Sequence, residues 1–70
     1  MTQNITEENK MKIFNDYVEA IDFAQLMLED MEADEYLLIM KKGNRFNVIG
    51  DYEYTEVKNR GWELVSQHWN

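Results

Sequence analysis

The chain has 70 residues, no cysteine and a formal net charge of −7, from 14 acidic and 7 basic side chains. That length supports one small domain with neither a disulfide nor a thiolate metal site to staple it. Such a charge excludes a surface built for DNA, RNA or anionic membranes, and a hydrophobic fraction of 44% excludes a disordered acidic tail.

Residues 1–5 read as a lead-in to a helix spanning 6–32, with Asn4 or Thr6 as its cap and Glu7 and Glu8 in its first turn. No Gly or Pro interrupts that span. Apolar residues return at helical spacing at Phe14, Tyr17, Val18, Ile21, Ala24, Leu28 and Met31. The opposite side carries Asn15, Glu19, Asp22, Leu26 and Glu29 as one stripe, with Asp16, Phe23 and Asp30 in a row beside it. Between Ile13 and Met40 there are eight acids and not one Lys or Arg. Helix-stabilising ion pairs are therefore missing on this face, and like charges repel by a few tenths of a kcal/mol per pair. Phe23 and Leu26 have two readings: apolar anchors ringed by charge, as in an interface hot spot, or side chains covered by the rest of the fold.

Asp30, Glu32 and Asp34 match the opening of a calcium loop, but Glu35 stands where the loop needs Gly and Lys41 where it needs Glu. No EF-hand is expected. Tyr36–Lys41 runs on without alternation, as a strand buried on both faces does. Gly43-Asn44 makes a two-residue turn into a second strand, giving a hairpin over 36–49 in which Ile39 faces Val48, Lys41 faces Phe46 and Leu38 faces Ile49. Lys41, Lys42 and Arg45 gather at its tip. A short helix over 52–60 follows, stopped by Gly61. The last strand covers 62–67, with Trp62, Leu64 and Ser66 on one face and Val65 on the other. Core positions are expected at Phe14, Ile21, Leu28, Ile39, Val48, Trp62 and Leu64.

Val57-Lys-Asn-Arg-Gly-Trp-Glu-Leu-Val-Ser66 resembles the helix-Gly-Trp-Glu-Leu-Val-Ser signature of a family of very small bacterial and phage domains of unknown function. The resemblance covers about ten residues and implies that a short helix ends at the Gly and the Trp opens an antiparallel strand. It implies no activity. The family's usual Leu is replaced here by Tyr54.

Catalytic chemistry has little to stand on. The chain has one His (His68), one Ser (Ser66), no Cys, and Gly only at 43, 50 and 61, so neither a nucleophile elbow nor a phosphate loop is available. The expectation is therefore a non-enzymatic protein with no catalytic or metal residues and no cofactor. The fold class expected is α+β: a long N-terminal helix packed on a small three-stranded antiparallel sheet, with a short helix before the last strand.

The expected function is binding and blocking a basic surface of a partner, itself a nucleic-acid-binding protein, by imitation of nucleic-acid phosphates. The binding residues would be Asp16, Glu19, Asp22, Phe23, Leu26, Glu29 and Asp30. Small acidic inhibitors that phages direct against host nucleases and defence systems are similar in size and charge, which is an analogy of composition. Direct contact with nucleic acid or membrane is not expected. The alternative is a homodimeric structural or regulatory module whose acidity serves only solubility. No run approaches the roughly 20 apolar residues of a membrane span and the first residues lack signal-peptide features, so a cytoplasmic protein is expected, in the host cytoplasm if phage-encoded.

Overall fold

The computed structural model of the chain describes residues 13–69. Asp16 decides where the main helix begins. Its backbone is extended (φ −134°, ψ 129°) and its carboxylate accepts from the Val18 N–H at 3.1 Å, so the helix α1 runs over Tyr17–Glu29. The helix expected over 6–32 is thus cut short at both ends. The expected caps Asn4 and Thr6, and residues 6–12, lie outside the described residues. Ile13–Phe14 is instead a strand, β1. Helical spacing from Phe14 to Tyr17 and Val18 had run straight across this break. At the other end the Asp30 N–H reaches the carbonyls of Met27 and Leu28 and closes the helix. A tight turn follows, in which the Glu35 N–H donates to the Glu32 carbonyl while the Glu35 carboxylate accepts from the Glu32 N–H, both at 3.1 Å.

The hairpin strands are β2, Tyr36–Lys42, and β3, Arg45–Gly50. Their register pairs Ile39 with Val48, Leu38 with Ile49 and Lys41 with Phe46, as the two-residue turn required. Gly43 takes φ +63° and Asn44 stays negative, the signature of a type II′ turn. A 3₁₀ turn (Asp51–Glu53) leads into helix α2, Tyr54–Asn59, and strand β4 is Glu63–Trp69. Among the described residues the fold is α+β with one antiparallel sheet of four strands, not three, in the order β1-β3-β2-β4. The fourth strand is β1, which pairs Ile13 with Asn47 and Phe14 with Phe46.

Because β2 is central, its side chains feed two separate apolar layers. On one face Leu37, Ile39 and Val48 meet Ala20, Ala24 and Leu28 of α1. The two alanines are fully buried, so the helix backbone lies close to the sheet. The flanks are filled by tilted aromatic pairs, Phe14–Phe23 at 5.2 Å and Tyr17–Phe46 at 5.5 Å between centroids. On the other face Leu38, Met40 and Ile49 pack with Tyr36, Tyr54, Val57 and Trp62.

Gly61 stops α2 at φ +99°. Its N–H donates to Lys58 O (3.0 Å) and the Trp62 N–H to Val57 O (3.4 Å), the paired bonds of a Schellman motif. Lys42 Nζ adds a bond to Arg60 O at 2.8 Å, tying the hairpin tip to the end of α2. Beyond Gly61, β4 pairs with β2 but slips by one residue at Val65, so Ile39 faces Ser66 while Met40 faces Leu64. This bulge overturns the expected alternation: Leu64 and Ser66 lie on opposite faces of the sheet. Of the expected core, Leu28, Ile39 and Val48 are buried, and Phe14, Ile21 and Trp62 are half-buried. Leu64 is not core, being 41% exposed on an edge strand, and Val18 points outward from α1.

Candidate interaction surfaces

The outer face of α1 brings Glu19, Asp22, Leu26 and Glu29 together, all exposed. Leu26 keeps 64% of its surface in solvent among those acids. Among the described residues no Lys or Arg pairs with Glu19, Asp22 or Glu29; the ion pair there joins Arg60 to Glu56 at 2.8 Å. The last turn of α1 holds no base, so Glu29 and Asp30 sit against the negative end of the helix dipole. This face is arranged against the helix's own stability.

The other three expected site residues have structural work. The Asp16 carboxylate caps the helix, and Asp30 closes it. Phe23 is half-buried and packs on Phe14 and the core, so the flank of the helix, not its outer face, holds this ring.

Charge is segregated along β2. The acidic turn of Glu32, Asp34 and Glu35 precedes its first residue, whereas Lys41, Lys42 and Arg45 mark the opposite tip, about 20 Å away at roughly 3.4 Å per residue. The tip's bases are partly engaged, with Lys42 on Arg60 O and Lys41 Nζ 5.6 Å from the Phe46 centroid.

One cluster escaped the sequence reading. The Tyr17 hydroxyl donates to Ser66 Oγ at 3.0 Å, and Ser66 Oγ lies 2.8 Å from His68 Nε2. The chain of three bridges α1 to β4. It depends on the bulge at Val65, which sets Ser66 and His68 on the helix side of the sheet, and only the i, i+2 spacing of Ser66 and His68 pointed to it. Among the described residues no carboxylate, the third member of a nucleophilic triad, bonds to the imidazole.

On the face away from α1 a cavity of about 340 Å³ opens between the 3₁₀ turn, α2 and β4, lined by Tyr36, Leu38, Asp51, Tyr54, Leu64 and Gln67. Beside it Tyr52 stands almost wholly in solvent. A hydrogen bond to Glu53, then the charge of Glu53, slight desolvation and the charge of Asp51 hold its phenol above the ordinary value of 10.0. Among the described residues no three His, Asp or Glu side chains converge as metal ligands, and no helix is long and apolar enough to cross a membrane.

Set against protein-family models, curated proteins and solved structures, the chain finds no match.

Proposed function

We propose that this chain binds a basic surface of a partner protein, one that itself handles nucleic acid, and blocks it by presenting carboxylates where phosphates would lie. The observation that supports this reading is the exposed row of Glu19, Asp22 and Glu29 around Leu26, with Asp30 at its end and, among the described residues, no cation set against it. From Glu19 to Glu29 the helix rises about 15 Å at 1.5 Å per residue. One strand of duplex DNA carries about four or five phosphates over that length, at roughly 3.4 Å each. Four carboxylates on a rigid helix offer a comparable anion density. Leu26 supplies an apolar contact at the centre and the acids form its charged rim.

The test is a triple variant, Glu19→Gln with Asp22→Asn and Glu29→Gln, set against a partner captured from the native host at low salt. The partner should be a nucleic-acid-binding protein released at high salt, and duplex DNA should compete for it. The triple variant should keep the fold and lose about tenfold or more in association rate at low ionic strength, as lost electrostatic steering requires. An unchanged rate with no competition by DNA leaves the acidity as a matter of solubility alone.

A further inference from the structure

We infer that the cavity between the 3₁₀ turn, α2 and β4 is a binding site for an alkylated ammonium group. Its volume of about 340 Å³ falls within the roughly 300–1,000 Å³ range of small-ligand pockets. Its composition selects the ligand. Leu38 forms a buried floor and Leu64 a wall, which accounts for a large apolar side chain standing partly in solvent on an edge strand. Tyr36 and Tyr54 also line this open cleft, and the Trp69 ring lies tilted against Tyr36 with centroids 4.2 Å apart. Lys58 Nζ stands 6.0 Å from the Tyr54 centroid, at the outer limit of a cation–π contact.

The single charge lining the cavity is the Asp51 carboxylate. It caps no helix end and pairs with no base among the described residues. An anionic wall, two phenol rings and an apolar floor, in a protein of net charge −7, favour a cation with an apolar skin. Aromatic rings take such cations through their quadrupole. A guanidinium fits less well. Its five N–H donors need acceptors, and beyond Asp51 the lining side chains offer the Gln67 amide and two phenol oxygens. A quaternary ammonium needs none. The site stands apart from the acidic face of α1, which lies across the sheet, so neither reading depends on the other.

The probe is choline, with 3,3-dimethyl-1-butanol as its uncharged isostere, titrated against the wild-type chain while tryptophan fluorescence is read. Trp69, resting on Tyr36, should report occupancy. Choline should give a saturable change at millimolar concentration, and the isostere should bind roughly tenfold or more weakly. Asp51→Asn should weaken choline by a similar factor without lowering the melting temperature, whereas Glu19→Gln should leave choline binding unchanged. Tyr54→Leu, which keeps the apolar bulk, should also weaken it. A peptide carrying trimethyl-lysine is the second arm. Tighter binding of the peptide assigns the group to a protein side chain, and tighter binding of choline to a free metabolite. Equal binding of choline and its isostere, no saturable response, or full binding by Asp51→Asn overturns the inference.

Discussion

Asp16 and Phe23 belong to the same row of the sequence, seven residues apart, yet each was claimed by a different demand of the fold. Asp16 has its carboxylate on the Val18 N–H, satisfying one of the donors a helix start leaves open. Phe23 fills the corner between α1 and β1 against Phe14. Both have structural partners, whereas Leu26 stands largely in solvent. The cap also has an energetic consequence. Asp16→Ala should destabilise the domain by about 1 kcal/mol, within the range of roughly 0.5–2 for lost caps, while Asp16→Ser should recover most of that. Denaturant melts of the three proteins check it. If Asp16→Ala melts like wild type, the start of α1 is held by packing alone. Ala20 and Ala24 make the complementary point: they are fully buried because they are small, and a larger residue at either would push the helix off Ile39 and Val48.

At the scale of elements, what the sequence made legible was whatever local chemistry fixes. Gly43-Asn44 sets a two-residue turn, and a two-residue turn sets the whole register of β2 against β3. Gly61 likewise fixes the end of α2 through a left-handed backbone. Long-range choices were hidden. Ile13 and Phe14 have the spacing of a helix, and only their pairing with Asn47 and Phe46 makes them a strand. A signal was present in Asp16-Tyr-Val-Glu19, which has the spacing of a capping box and placed the helix start ten residues later than Thr6. The bulge at Val65 had no such marker, and with it went the faces of Leu64 and Ser66. The acidic stripe of Glu19, Asp22 and Glu29 was legible in full, because helical periodicity alone determines which side faces out. Its cost to α1 is measurable. Glu29 lies in the last turn, so Glu29→Lys should stabilise the chain by about 0.3–1 kcal/mol at low ionic strength through the helix dipole. A loss of stability in that variant would mean that Glu29 makes a favourable contact in the native fold.

Across the whole molecule, charge is sorted by position more than it is paired. Eight of the twelve described acids lie between Asp16 and Glu35, on α1 and the turn before β2, and the bases gather at the hairpin tip and in α2 and its end, where Glu56 and Glu63 are their acidic neighbours. The twelve acids and five bases among the described residues could have been interleaved to form surface ion pairs, of which Arg60 with Glu56 is one that forms. Self-repulsion therefore acts on the folded state more than on the expanded chain, since folding brings the acids of α1, the Glu32–Glu35 turn and Asp51 closer together. Sodium chloride screens that repulsion over a Debye length of about 10 Å at 0.1 M and 3 Å at 1 M. The melting temperature should accordingly rise as sodium chloride increases from a few millimolar to several hundred. The variant with Glu19, Asp22 and Glu29 neutralised should start higher and rise less. Under the proposed function, binding to a basic partner should respond in the opposite sense, weakening over the same range of salt, because the same charges would oppose folding and attract the partner. Thermal melts and association rates measured in one salt series test both halves. A melting temperature that falls with salt would show that the carboxylates are held by favourable pairs in the native state, and the acidic face of α1 would lose its claim to be held open for another molecule.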